Sequence, residues 1–67
     1  MSDHSYGLTE IVGTSANGLD EALRNAVQQA KSMLSNLDWF EMVAVRGHLV
    51  DGGIGHIQVT IKVGYRF

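Results

Sequence analysis

No cysteine occurs among the 67 residues, which excludes disulfide bracing, thiolate metal sites, iron–sulfur clusters and thiol catalysis. A chain this short keeps only about 60% of its surface buried when it folds alone. With disulfides gone, metals held by other ligands and oligomerisation are the supports that remain. An excess of positive charge is missing too. Five Lys and Arg stand against seven Asp and Glu, a net charge of −2, so there is no electrostatic footprint for a nucleic-acid backbone or an anionic membrane surface. No apolar run approaches the ~18 residues a spanning helix needs. The opening Met1-Ser2-Asp3-His4-Ser5 has neither a basic nor an apolar leader region. With 45% hydrophobic and 18% charged residues the chain has the composition of a folded protein rather than a disordered one. One soluble, cytoplasmic domain spanning residues 1–67 is expected.

The hydrophobic period changes twice along the chain. Tyr6 to Val12 reads as a short strand ending at the turn-like Gly13-Thr14-Ser15-Ala16-Asn17-Gly18. From Leu19 onward, Ala22, Leu23, Ala26, Val27, Ala30, Met33, Leu34 and Leu37 follow an i, i+3, i+4 pattern, which predicts an amphipathic helix. Asn17 or Gly18 can cap it, and Asp20 and Glu21 sit where the helix dipole favours anions. Trp39 to Val50 and Ile54 to Phe67 then alternate with a period of two, separated by the hairpin signal Asp51-Gly52-Gly53. The predicted order is β-α-β-β. It is an α+β fold in which one helix covers one face of a three-stranded antiparallel sheet.

Centring the hairpin on Gly52 pairs His48 with His56, Arg46 with Gln58, Ala44 with Thr60 and Met42 with Lys62. Simple alternation puts Trp39 and Gln58 on opposite faces. The second sheet face has no cover and is half apolar, and the strands are long with open edges. Self-association into a homo-oligomer is expected on these grounds.

Catalytic chemistry finds little support. There is no nucleophile motif, and Glu10, Glu41 and Asp51 are spread over different elements. His48 and His56 supply two imidazoles, too few for a zinc site without a third ligand of matching spacing, so a hydrogen-bonded surface or interface pair is expected and no metal. Gly52-Gly53-Ile54-Gly55 lies between strands with no helix following, as a turn does and a phosphate loop does not. Trp39 opens a strand, where its ring either closes the core or offers a stacking platform for a planar ligand. Gln58 carries the mixed donors and acceptor that suit a heterocycle edge, or is simply a polar outward residue. Arg46 suits either a ligand phosphate or an interface ion pair.

Several segments together resemble the dodecins: Glu10-Ile11-Val12-Gly13-Thr14-Ser15, Asn25-Ala26-Val27, Trp39-Phe40-Glu41, Arg46-Gly47-His48, His56-Ile57-Gln58-Val59-Thr60 and Lys62-Val63-Gly64-Tyr65-Arg66. The resemblance covers nearly the whole chain. It implies a β-α-β-β subunit whose sheet wraps around the helix, assembled as a hollow dodecamer of tetrahedral symmetry. It further implies a flavoprotein that stores FMN, riboflavin or FAD rather than turning over a substrate, with flavins stacked in pairs between tryptophans. On that resemblance Trp39 is the stacking residue, Gln58 the partner of the isoalloxazine edge, and Arg46 a contact to the tail of a phosphate-bearing flavin. Some bacterial members also hold coenzyme A. The chain departs from the family pattern at Gly7, Ala44 and Gly53-Ile54-Gly55, positions that bear on the tail contacts and not on the ring. A structural or coenzyme A-binding oligomer and a weak flavoenzyme are the rival readings.

Overall fold

The computed structural model describes residues 5–67, so the polar stretch from Met1 to His4 lies outside the described residues. Strand β1 (Tyr6–Ser15) leads into helix α1 (Leu19–Met33), followed by the long strands β2 (Leu37–Val50) and β3 (Gly53–Arg66). The sheet order is β1-β3-β2 and both pairings are antiparallel. β3, last in sequence, is therefore central, and β1 and β2 run parallel on either side of it. The hairpin turn is Asp51-Gly52, both with positive φ (51° and 80°). That is the backbone of the tight turns whose twist matches paired strands.

The core forms where the helix meets the middle of the sheet. Ala22, Ala26 and Ala30 are fully buried against Ile11, Val59, Ile61 and Val63, with Leu23, Val27, Leu37 and Ile57 packed around them. Small side chains at i, i+4 and i+8 make one flat row on the helix, which brings its backbone close to the sheet. β1 contributes Gly13 at the closest point, beneath Ala22 and Ala26. Local bonds fix the helix start: the Ala22 N–H donates to Gly18 O at 3.1 Å, Ser15 Oγ donates to Glu21 Oε2 at 3.1 Å, and Asn25 Nδ2 donates to Thr14 O at 3.0 Å.

Two boundaries differ from the sequence reading. β1 runs on through Gly13, Thr14 and Ser15, which pair with Val59, Gln58 and Ile57. The helix stops at Met33, and the Leu34 N–H closes it on Ala30 O at 2.9 Å. Leu34 and Leu37 continue the helical period in sequence only. Asn36 takes a left-handed φ of 60°, and Leu37 opens β2 opposite Tyr65.

The helix packs on β1 and β3 and leaves the same face of β2 uncovered. Phe40 and Met42 pair with Val63 and Ile61, and Val45 pairs with Val59, so all three belong to the helix side of the sheet. Yet Phe40 and Val45 are each 49% exposed. Leu49 and Ile54 extend this row and are more open still. Every residue of β2 except the half-buried Leu37 is exposed, and its apolar members form a surface of a kind that marks an association site.

Candidate functional site

The face away from the helix is built in cross-strand rungs, because directly paired residues in antiparallel strands point to the same side. β3 supplies His56, Gln58, Thr60, Lys62, Gly64 and Arg66. From β2, His48, Arg46, Ala44 and Glu41 stand beside the first four, and Trp39 beside Gly64. From β1, Thr14, Val12, Glu10, Leu8 and Tyr6 stand beside Gln58 through Arg66 in turn. The expected pairs His48–His56, Arg46–Gln58 and Ala44–Thr60 are present. Met42 instead pairs with Ile61, and Glu41 takes the place opposite Lys62, because Val43 is an extra residue on β2 that bulges out of the ladder.

That bulge decides the position of Trp39. A strict alternation would put its side chain on the helix face; one extra residue shifts the parity. Trp39 and Gln58 therefore lie on the same face of the sheet, not on opposite faces. The indole crosses Gly64: a Cβ placed there would lie 2.5 Å from both Cζ2 and Nε1 of Trp39. Gly64 is buried beneath it, while the tryptophan stays 40% exposed. Trp39 is thus no part of the core. It is a ring backed by the sheet and open to a partner on its other side.

Gln58 and Arg46 share one rung, with Thr14 completing it on β1. They line a shallow hollow of about 290 Å³ together with Gly47, His48 and His56. This is a donor-rich surface with amide, hydroxyl, imidazole and guanidinium groups in reach of one small ligand. Trp39 is not in it. Gln58 and Gly64 are six residues apart on a continuous strand, and at ~3.3 Å per residue the indole lies about 20 Å away. The fold brings Gln58 and Arg46 together and holds Trp39 apart. A ligand the size of one aromatic ring system meets both only if the tryptophan comes from one copy and the polar rung from another.

Thr14 is the residue of this hollow that sequence reading passed over, since Gly13-Thr14-Ser15 resembles a turn. Its signal was available in the pairing: a β1 extended by three residues sets Thr14 opposite Gln58. Among the described residues no cluster of three or more His, Asp or Glu could hold a metal, and no helix is long and apolar enough to cross a membrane.

The dodecin family model matches residues 6–67. Among curated proteins, the dodecin of Thermus thermophilus is 41% identical over 61 residues, covering 91% of this chain and 88% of that protein. The solved structure of dodecin from Streptomyces davaonensis is similar at 57% identity, with a TM-score of 0.92 over 98% of this chain and 97% of that one. Dodecin from Streptomyces coelicolor gives 52% identity and a TM-score of 0.92, over 100% of this chain and 96% of its own. With the family model spanning both the helix–sheet core and the open face that carries Trp39, Gln58 and Arg46, this chain belongs to the dodecin family.

Proposed function

We propose that this chain is a flavin-storage protein of the cytoplasm: assembled copies hold FMN or riboflavin between Trp39 side chains, and binding rather than turnover is its function. The observation that carries the reading is the Trp39 indole, seated over Gly64 with its other side open, on the same sheet face as Gln58 and Arg46. These residues fit a flavin by their chemistry. The indole is electron-rich and complements an electron-poor ring by stacking. Gln58 offers an acceptor and two donors to a heterocycle edge that mixes carbonyls and N–H. Arg46 offers a fork of donors to an oxyanion. When bound, an isoalloxazine supplies an electron-poor plane whose excited state accepts an electron from an adjacent indole, so its light-driven chemistry is shortened.

The same residues make assembly a condition of the site. The ~20 Å between Trp39 and Gln58 along β3 requires at least two copies, and the uncovered β2 row of Phe40, Met42, Val45 and Leu49 supplies a surface through which copies associate. A closed dodecamer, as in the family, satisfies both. Replacing Val45 by Glu sets a charge into that row and is expected to reduce the particle to smaller species, read by light scattering. A particle of unchanged mass would show that this row is not an interface.

Titration of apo-protein with FMN and riboflavin tests the proposal, with flavin and tryptophan fluorescence followed together. Mutual quenching that saturates near one flavin per chain is expected, and its absence at micromolar protein would overturn the flavin reading. Gln58→Ala should weaken both flavins by about 1–3 kcal/mol, the cost of leaving a ring-edge group without its partner. Saturating quenching should persist in that variant because Trp39 remains. Equal dissociation constants for the variant and the parent would remove Gln58 from the site.

A further inference from the structure

Resting on the flavin reading, we propose that Val43 is a positioning residue: as the unpaired residue of a bulge it bends β2 between the polar rung and Trp39, and so sets the angle at which the indole meets a ring held by another copy. Leu37 pairs with Tyr65 and Trp39 with Gly64, which leaves Asp38 unpaired in the ladder. Met42 pairs with Ile61 and Ala44 with Thr60, which leaves Val43 unpaired in the same way. Between these two extra residues, Trp39, Phe40, Glu41 and Met42 follow Gly64 to Ile61 without interruption.

The enclosed segment is out of step with the strand on both sides. Leu37 and Val45, at odd positions, lie on the helix side, whereas Trp39 and Glu41, also at odd positions, lie on the open face. Each extra residue reverses the alternation once, so the second restores what the first inverted. Only Trp39 to Met42 are turned, the indole toward the open face and Phe40 and Met42 toward the helix side.

Core packing does not demand this arrangement. No residue from Trp39 to Val50 belongs to the buried core, and α1 packs on β1 and β3. Protection of the open edge does not demand it either, since one bulge is enough to interrupt a row of unpaired edge groups. What the two bulges share is the segment between them, which bears the single tryptophan of the chain. From Trp39 to Arg46, β2 spends seven residues where β3 spends six from Gly64 to Gln58, an excess of about 3 Å of chain. A bulge takes up such an excess by bending its strand and adding right-handed twist. The indole, which rests on Gly64, is thereby turned relative to Arg46 and Gln58. Stacking depends on the mutual tilt of the rings. The ring that Trp39 meets is held by the polar rung of another copy, so this angle decides whether the two lie face to face.

Deletion of Val43 joins Met42 to Ala44, so the pairs Met42–Ile61 and Ala44–Thr60 become adjacent rungs of a regular ladder and every other side chain keeps its face. Only the bend is lost. Val43→Ala keeps the extra residue, and with it the bend, while removing most of the side chain. Three readouts are taken on the assembled protein: mass by light scattering, dissociation constants of FMN and riboflavin by fluorescence quenching, and the near-ultraviolet circular dichroism of Trp39 without flavin. The deletion should leave the mass unchanged, alter the Trp39 dichroism, and weaken both flavins alike by about tenfold, a share of what ring stacking contributes. Val43→Ala should match the parent in all three. Unchanged affinities in the deletion variant overturn the role, as does an equal loss in Val43→Ala, which would assign the effect to the side chain. A smaller particle overturns it too, because the bulge would then serve the contact between copies. Should the parent bind neither flavin, the flavin reading fails, and the dichroism alone reads the placement: a change on deletion that is absent in Val43→Ala supports the role, and any other pattern overturns it.

Discussion

Replacing Trp39 with alanine is expected to abolish most flavin quenching and to weaken binding by about 10- to 100-fold, with the subunit still folded. The size of the loss follows from base–aromatic stacking, worth roughly 1–3 kcal/mol per ring removed, and a paired site across a twofold would lose an indole on both sides. Folding should survive because the side chain lies outside the Ala22, Ala26, Val59 and Ile61 core and is 40% exposed. Far-ultraviolet circular dichroism on the same sample checks that point. Gly64→Ala provides a second reading that keeps the tryptophan. Its new Cβ would meet the indole at Cε2, Cζ2 and Nε1, so the ring must tilt away from the sheet and intrude on the space a flavin would take. Weaker binding in both variants would assign the site to the placed ring rather than to its mere presence. Undiminished affinity and quenching in Trp39→Ala would refute the stacking role.

Much of this site could be read from sequence, and the part that could not has a specific cause. Centring the hairpin on Gly52 gives three of the rungs, including Arg46 with Gln58 and His48 with His56. The two-residue turn Asp51-Gly52 by itself sets the register of Val50 with Gly53, and the one-residue shift at Gly55 restores the register that such a centre assumes. The bulge at Val43 broke the extrapolation. Nothing local announces it: Met42, Val43 and Ala44 fit a regular strand, and no glycine marks the extra residue. The irregularity near the hairpin differs, since the residue skipped there is Gly55, the residue type that often accompanies a bulge. One unmarked residue was enough to carry Trp39 from one face of the sheet to the other.

The ends of α1 at Met33 and of β1 at Ser15 depart from the sequence periodicity for related reasons. Leu34 and Leu37 satisfy the helical period by coincidence. Leu37 is half-buried because it lies opposite Tyr65 on the helix side of β2, so its apolar character answers to the sheet. Gly13-Thr14-Ser15 carries turn-forming residue types, yet Gly13 is in a strand because of what lies above it. Composition alone does not distinguish a glycine that bends the chain from one that makes room for a helix.

That second kind of glycine sets the other large expected effect. Gly13→Ala should lower the stability of the protein by about 1–3 kcal/mol, the range for forcing a methyl into a well-packed interior. The added Cβ would lie 2.6 Å from the Ala26 nitrogen and 2.7 Å from its Cβ, and would also meet the Ala22 carbonyl oxygen. Two of these three atoms are backbone, which no rotamer change moves aside. The helix must lift from β1, opening the contact of Ala22 and Ala26 with Ile11 and straining the Asn25–Thr14 and Ser15–Glu21 hydrogen bonds that seat its first turns. Gly53→Ala is the matched control: its Cβ would lie 3.7 Å from the Val50 carbonyl oxygen, an ordinary contact, and a change within about ±0.5 kcal/mol is expected. Urea midpoints of the two variants, compared at one protein concentration because association contributes to stability, should fall well apart. Coincident midpoints would mean that the helix has room to spare over β1, and that Gly13 is not what brings the alanine row down onto Ile11.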